Sequence, residues 1–419
     1  PGLDCPHAMA DLQNEFSWSK SRHEKFSECR RAYYYTYYGS WGGWDAPAGS
    51  PVRELYVLKK LSSRWQWAGS VVHDALKQLL TRAKATGDLR PLEDVLRQTR
   101  ERARAQFGAS RDKSYWREKS RIVGLVEHEY AGPVKDEDWR RIYETVIDGG
   151  LRAFYASPVL EEIRRTPRDR WLSVDVLDKW FFEGTTVWAA VDFAYRDAEG
   201  RVHLLDWKTG KERGADHLQV GTYALYARQK WDAPPDGVVG GLVYLVQEDG
   251  RPAERTDVQA DQATLERCRE EMRGSIAAMK AVLADPARNA AVIEAFPQLE
   301  DREACRRCPY RRPCGRRFRG GRQPGELAAI GGVGGISGRA AVRLGEGALD
   351  HDQRHEPAVL SVGDRHPRVE RAHGSGPRGA GQRPAGGLRD RAGDDRGVRE
   401  ELGRRGAGGS ADRLDWLSP

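Results

Sequence analysis

Apolar residues recur at helical spacing through the early part of the chain. One apolar stripe falls within residues 69–82 and consists of Val71, Val72, Ala75, Leu76, Leu79 and Leu80. An apolar residue at every third or fourth position is typical of an amphipathic helix. A similar period, with more surface charge, recurs at residues 91–107 and 137–155. The pattern therefore predicts a helical region over about residues 70–165.

Beyond residue 170 the pattern changes to short runs rich in Val, Trp and Phe, as in β-strands. Three such runs follow one another at 171–182, 185–195 and 202–207. They predict a β-meander or a pair of hairpins. A fourth run at 240–246 follows a helical segment and precedes another, at 216–230 and 261–283. Strands flanked by helices predict an α/β or α+β core.

The composition excludes several classes of protein. The chain has 419 residues and a net charge of +7, and no apolar run is long enough to span a bilayer. No signal peptide is evident, so we expect a cytoplasmic protein. Six cysteines in such a chain favour metal binding over a disulfide scaffold. The basic charge permits a nucleic-acid partner.

The two ends of the chain differ from the rest. Residues 320–419 hold half of the 46 glycines and almost no aromatic residues. Such a segment cannot bury much apolar surface, so we expect a disordered tail, either low-complexity sequence or the product of a reading-frame slip. The first methionine is Met9, so we expect residues 1–15 to be non-native or flexible. The expected folded domain is then residues 16–319.

The segment around residue 206 carries the most informative polar residues. Asp206 and Lys208 are separated by one residue on a predicted strand, so both point to the same face. Asp192 lies on the preceding strand, within reach across the hairpin. Two carboxylates on one face suit Mg²⁺ or Mn²⁺, and a lysine beside them can orient a water molecule. Taken alone, a charged pair at a strand end is more often solvated surface.

Three further polar residues lie on the flanking helices. His73 lies on the helix predicted over 69–82, where a lone histidine is more often an ordinary surface or core residue than a ligand. Gln219 and Tyr223 are four residues apart on the helix that follows Lys208, so they share one face of that helix.

In chain order these motifs resemble those of the RecB-like branch of the PD-(D/E)XK nuclease superfamily: His73, Asp192, Asp206-Trp207-Lys208, and Gln219 to Tyr223. One departure is Ala190, where the family often has glycine. The resemblance covers about residues 16–315. It implies a restriction-endonuclease-like α/β core at about 170–250, with a mixed central sheet flanked by helices and a helical N-terminal insertion.

The resemblance also implies a role for each residue of the core motifs. His73, Asp192 and Asp206 would ligate the divalent metal ion, Mg²⁺ or Mn²⁺. The backbone carbonyl of Trp207 would be a further ligand. Lys208, with the two aspartates, would be catalytic by positioning or activating the attacking water. The implied reaction is metal-assisted hydrolysis of a phosphodiester bond.

Three cysteines near residue 310 form the second strong feature. Cys305, Cys308 and Cys314 have C-x₂-C-x₅-C spacing, which invites a fourth ligand, and Cys29 is the candidate. Zinc and iron–sulfur clusters both accept four thiolates, so the spacing leaves both open. Cys268 lies within a predicted helix, where we expect a small buried residue.

The placement of these cysteines resembles a subset of RecB-like nucleases that includes AddB-type nuclease domains and the CRISPR-adaptation exonucleases. In that subset one cysteine precedes the nuclease core, three follow it, and together they hold a [4Fe–4S] cluster. The resemblance implies such a cluster here. The cluster would join the N- and C-terminal segments of the domain and contribute to folding.

Substrate contacts are expected at two places. By the resemblance, Gln219 and Tyr223 would contact the substrate backbone. Four arginines beside the cysteines are candidates for a phosphate-binding rim: Arg306, Arg307, Arg311 and Arg312. Arginines with interleaved aromatic residues are typical of phosphate binding and base stacking. The alternative is an ordinary solvated charged face.

These observations favour a metal-dependent DNA nuclease, an exonuclease or flap-type enzyme acting on ends or single strands in repair, recombination or CRISPR adaptation. The first alternative is a catalytically weak iron–sulfur DNA-binding module that serves a helicase–nuclease complex. A zinc protein with an incidental Asp-x-Lys is the second. No Walker-type phosphate loop is present, so any unwinding would come from a helicase or CRISPR-adaptation partner.

Overall fold

A mixed β-sheet lies at the centre of the protein in this computed structural model, which describes residues 13–119, 122–130, 135–210, 216–234, 236–247 and 250–315. Expectations for residues 1–12 and 316–419 lie outside the described residues. The strands are β1 (Ser17–Trp18), β2 (Leu61–Ser62), β3 (Gly124–Leu125), β4 (Trp171–Phe182), β5 (Thr185–Arg196), β6 (Val202–Lys208), β7 (Val238–Tyr244) and β8 (Glu254–Gln259).

Within the described residues, six of these strands form the central sheet. Strand β5 pairs antiparallel with β4 along one edge. Along its other edge it pairs first with β1, in parallel, and then with β6, antiparallel. Strand β6 pairs in parallel with β7, and β7 pairs antiparallel with β8. Strands β2 and β3 pair with each other in a separate small ladder.

Helices cover the sheet and form a large insertion between β1 and β4. They are α1 (Lys20–Glu28), α2 (Arg30–Tyr34), α3 (Pro51–Lys59), α4 (Arg64–Thr86), α5 (Leu92–Arg111), α6 (Val126–Glu129), α7 (Asp136–Ile142), α8 (Gly149–Tyr155), α9 (Pro158–Arg165), α10 (Asp216–Lys230), α11 (Gln262–Ala281) and α12 (Arg302–Cys305). This confirms the expected α/β fold with a mixed central sheet flanked by helices.

Local sequence signals explain the bounds of helix α4. The apolar stripe predicts only its middle, and the helix begins five residues earlier. Ser63 and Gln66 form a capping box, in which each side chain accepts a hydrogen bond from the other residue's backbone N–H. At the other end Gly87 has a φ of 81°, the left-handed conformation that favours glycine after a helix.

Some strands lie where the sequence predicts them, and others are shifted or were not predicted. The bounds of β4 are those predicted, whereas β7 lies two residues earlier than the predicted run 240–246. Helix α10 packs so closely on β7 that a Cβ atom on Gly240 would lie 2.3 Å from Val220. Strand β1 has only two residues, and β8 is polar and largely exposed, so neither carries a clear apolar pattern.

The N-terminal segment packs against the C-terminal part of the described chain. The indole N–H of Trp18, which is fully buried, donates to Ser275 of α11 at 2.9 Å. Asn289 donates to the backbone carbonyl of Asn14 at 2.8 Å. Arg31 donates to the carbonyl of Phe296 at 2.6 Å. The two ends of the domain therefore form one packed unit.

None of the helices in the described ranges combines the length and the apolar character needed to cross a membrane.

Candidate active site and cysteine cavity

The site begins where strands β5 and β6 separate. The last residues paired between them are Phe193 and Leu205. Just beyond, the backbone N–H of Trp207 donates to the Asp192 carboxylate at 2.8 Å instead of to a backbone carbonyl. The N–H and C=O of one strand residue point to the same edge. The Trp207 carbonyl therefore faces the same gap between the strands.

Two buried carboxylates, a lysine and a glutamine meet at this gap. Asp192 and Asp206 are only 2% and 4% exposed. Lys208 Nζ lies 2.7 Å from Asp206 Oδ2, as expected for side chains on one face of a strand. Gln219 of α10 donates to Asp206 Oδ1 at 2.5 Å and accepts from Lys208 at 2.7 Å. The glutamine therefore fixes the lysine and the aspartate relative to each other.

Tyr223 extends this network to strand β5. Gln219 Nε2 donates to the Tyr223 hydroxyl at 3.1 Å, and that hydroxyl donates to the backbone carbonyl of Ala190 at 2.7 Å. The contact uses the backbone of residue 190, so the presence of alanine in place of glycine leaves it intact. Gln219 and Tyr223 are both buried in this structure.

His73 reaches the site from helix α4. Its Nδ1 lies 3.3 Å from Asp192 Oδ1. The helix approaches β6 closely at Gly69, because a Cβ atom there would lie 2.7 Å from the Thr209 hydroxyl oxygen. Glycine at this position therefore lets α4 come close enough for His73 to contact Asp192.

Two acidic residues near His73, Asp74 and Asp175, were not identified from the sequence. Asp175 of β4 has a left-handed φ of 44° and pairs with Lys77 of α4 at 3.4 Å. Burial raises the pKa of Asp74 to about 6, with the Asp175 carboxylate contributing, while Arg102 and Lys77 oppose the rise. Neither residue belongs to a spacing motif, so only the packing of α4 on β4 reveals them.

Lys20 is a second lysine at the site, and it was not predicted from the sequence. It is the first residue of α1, and its Nζ donates to Gln219 Oε1 at 3.2 Å. The pairing of β1 with β5 brings it there from far along the chain. No local pattern encodes such a long-range pairing.

The donor chemistry of the gap fits a hard divalent cation. Asp192, Asp206 and the Trp207 carbonyl supply oxygen ligands, which Mg²⁺ and Mn²⁺ prefer. Among the residues that the structure describes, however, no three His, Cys, Asp or Glu side chains are arranged to enclose a metal ion. At Asp206 both oxygens are engaged, by Lys208 and Gln219. Metal binding would therefore require Asp206 to exchange at least one of these contacts.

All four predicted cysteine ligands line one cavity: Cys29, Cys305, Cys308 and Cys314. Burial raises the pKa of the Cys308 thiol to about 11, and the nearby Cys29 and Cys305 sulfurs contribute to the rise. Cys29 lies at the break between α1 and α2, where it lines the cavity together with the three later cysteines. Four thiols are the donor set that zinc and iron–sulfur centres use, but in the described part of the chain no three of them are arranged around one metal position. Cys268 is buried elsewhere, as expected.

The loop that carries these cysteines is anchored by a buried carboxylate. Glu129 accepts hydrogen bonds from the Tyr115 hydroxyl at 2.7 Å and the Trp116 indole at 3.0 Å. Arg312 donates to Glu129 at 3.1 Å and to Glu54 at 2.9 Å. The cysteine loop is thus tied to the helical insertion.

The predicted arginine rim divides into two pairs. Arg312 is held by the two glutamates, and Arg311 stacks over the Tyr130 ring at 3.8 Å. Arg306 is exposed and pairs with Glu303 at 2.8 Å, and Arg307 is also exposed. Of the four, the second pair is the more available to a substrate.

Comparison with models of protein families identifies the family of the chain. The family model of the PD-(D/E)XK nuclease superfamily matches residues 17–315, which is most of the chain. A search of curated proteins finds none that matches.

Proposed function

The chain belongs to the PD-(D/E)XK nuclease superfamily, and from this premise we propose that it is a Mg²⁺- or Mn²⁺-dependent deoxyribonuclease of the RecB-like branch. The observation that carries the proposal is the meeting of Asp192, Asp206 and Lys208 at the gap between β5 and β6. We propose action on single strands or DNA ends, in repair, recombination or CRISPR adaptation. A helicase or CRISPR-adaptation protein would supply any unwinding.

Each residue of the site has a role in this proposal. Asp192, Asp206, His73 and the Trp207 carbonyl would hold the metal ion. When bound, Mg²⁺ or Mn²⁺ would polarise the scissile phosphate and acidify a water molecule. Lys208 would orient the attacking water and offset negative charge on the phosphate.

The substrate would be held by residues around this centre. Gln219 and Tyr223 would position the DNA backbone, because they line the site, where Tyr223 contacts Gln219 and Gln219 contacts Lys208. The exposed Arg306 and Arg307 would contact phosphates further along the strand. Arg311 and Arg312 would act mainly by holding the cysteine loop in place and adding positive charge to it.

The test is cleavage of end-labelled single- and double-stranded DNA with Mn²⁺. We expect Lys208→Met to lower kcat at least ~100-fold, since the lysine acts on the proton and charge of the reaction. Lys84→Met removes the same charge from an exposed position of α4 and should cleave like the wild type. A wild type that binds DNA without cutting either substrate would favour the alternative, a DNA-binding module within a helicase–nuclease complex.

We further propose that Cys29, Cys305, Cys308 and Cys314 hold a [4Fe–4S] cluster that joins the two ends of the domain. The support is that these four thiols line one cavity. Anaerobically purified protein should contain iron and sulfide and absorb at roughly 400 nm, as thiolate-bound clusters do. Cys314→Ser should lose both, and Cys268→Ser, outside the cavity, should keep both. Stoichiometric zinc without sulfide would identify a zinc centre instead.

A further inference from the structure

Two lysines from distant parts of the chain share one hydrogen-bond acceptor at the site. Gln219 Oε1 accepts from Lys208 at 2.7 Å and from Lys20 at 3.2 Å. Lys208 belongs to the Asp-x-Lys motif, whereas Lys20 lies on α1 and belongs to no motif discussed above. The site therefore presents two ammonium groups side by side.

The position of Lys20 is fixed by the fold around it. Trp18, two residues earlier, is fully buried in the core and lies on β1. Ser19 caps α1 by accepting a hydrogen bond from the backbone N–H of Arg22, and the Arg22 side chain donates to the carbonyl of Ser17. These contacts hold the first turn of the helix, so Lys20 projects from an ordered base toward Gln219.

The charges around Lys20 leave room for an anion. In the described part of the chain it contacts the neutral Gln219 and the carboxylate of Glu24, which lies at 3.0 Å and is partly exposed. A partly exposed ion pair between residues four apart on a helix contributes little stability, so the lysine can exchange Glu24 for another anion at small cost. Each ammonium group already has one carboxylate beside it, Asp206 at 2.7 Å from Lys208 and Glu24 at 3.0 Å from Lys20. Glu24 is the more exposed of the two carboxylates, so it is the one that an incoming phosphate would replace.

We propose that Lys20 is a substrate-binding residue that contacts a DNA backbone phosphate next to the scissile one. The proposal rests on the proposed nuclease function, because it places Lys20 relative to the phosphate that would be cleaved beside Lys208. Lys20 would hold the DNA strand while Lys208 acts in the reaction. A lysine serves such a contact as a compact point charge.

The experiment measures DNA binding against salt concentration in EDTA, where no metal-dependent cleavage occurs. A protein releases counterions as its cations neutralise phosphates, so the slope of log K against log salt counts those contacts. Wild type, Lys20→Met, Lys20→Arg and Lys84→Met are each titrated with labelled single-stranded DNA. Methionine keeps the aliphatic stem of the lysine, and arginine keeps the charge.

If Lys20 binds a phosphate, Lys20→Met loses about 0.7 from the magnitude of the slope, the value for one contact to single-stranded DNA. Lys20→Arg and Lys84→Met keep the wild-type slope. In cleavage assays Lys20→Met raises KM several-fold and leaves kcat nearly unchanged, because chemistry is left to Lys208.

Two results would overturn the proposal in different ways. An unchanged slope in Lys20→Met, with kcat lowered at constant KM, would make Lys20 a positioning residue that acts only through Gln219. That result would leave the nuclease function standing. A wild type that binds no DNA at any salt concentration would remove the proposed function itself, and the role of Lys20 with it.

Discussion

At the scale of single residues, the site combines side chains that a motif reveals with others that only packing reveals. Asp192, Asp206 and Lys208 stand out because charged residues interrupt buried strands at characteristic spacing. Lys20 and Asp175 carry no such signal, since each reaches the site through a strand pairing or a helix–strand contact. The sequence motifs therefore lead to His73, Asp192, Asp206, Lys208, Gln219 and Tyr223, but not to Lys20 or Asp175.

The carboxyl of Asp74 makes the stability of the protein depend on pH. Its pKa is raised to about 6, against an ordinary value of 3.8. Well below pH 3.8 the carboxyl is protonated in both folded and unfolded chains. Between these values only the folded protein keeps the proton, so the contribution to stability falls as pH rises and is lost above about pH 6.

Asp74→Asn removes this dependence and should stabilise the protein at neutral pH. We expect a gain on the order of 1–3 kcal/mol above pH 6, which shrinks to almost none well below pH 3.8. The measurement is the difference in unfolding free energy between the variant and the wild type across this range. The pKa of His128 is lowered to about 4 by burial, and since it titrates in both proteins, it cancels in the difference. A difference that does not vary with pH would contradict the assignment.

At the scale of elements, strong periodicity predicts the long helices and the strands of the meander. It fails for β1 and β8. Strand β1 has two residues and exists because β5 offers it an edge, while β8 is an exposed edge strand with polar residues on both faces. Such elements are specified by their neighbours rather than by their own sequence.

The contact between α4 and β6 yields a prediction about Gly69. Gly69→Ala places a methyl group 2.7 Å from the Thr209 hydroxyl oxygen, so either the helix or the strand end must move. We expect a net loss of about 1–2 kcal/mol in stability, after the better helix propensity of alanine is counted. We also expect lower nuclease activity, because His73 and Lys208 lie on the two displaced elements.

The matched test is the double variant Gly69→Ala with Thr209→Ala. Removing the hydroxyl relieves the close contact, so the double variant should recover most of the stability and activity that Gly69→Ala loses. Additive losses in thermal unfolding and cleavage would show that the close packing of this glycine does not position the site.

At the scale of the whole molecule, the general fold could be predicted because the order of the motifs along the chain agrees with the order of the predicted strands and helices. That the two ends of the domain meet could be predicted only in general terms, from the long separation in sequence between Cys29 and the later cysteines. The contacts that hold these ends together, such as those of the buried Glu129 with the cysteine loop, join segments that share no sequence pattern.

A shared metal centre predicts non-additive effects of cysteine substitutions. Cys29→Ser and Cys314→Ser should each lower the unfolding free energy of the loaded protein by several kcal/mol, because binding energy at such a centre is folding energy. The double variant should lose little more than the worse single one, since the same centre is lost. Cys268→Ser should add independently to either. Fully additive losses at Cys29 and Cys314 would mean that the two thiols do not serve one centre.

The contact between the two ends of the domain also has a consequence for the nascent chain on the ribosome. The Tyr35 hydroxyl donates a hydrogen bond to the carbonyl of Pro313, which is 278 residues later in the chain. At synthesis rates of 5–20 residues per second, this partner arrives roughly 15 to 60 s after Tyr35 is made. During that interval Cys29 and the aromatic residues after it lack their final partners. The nascent chain therefore passes through a period in which a thiol is open to oxidation and apolar surface is open to chaperones.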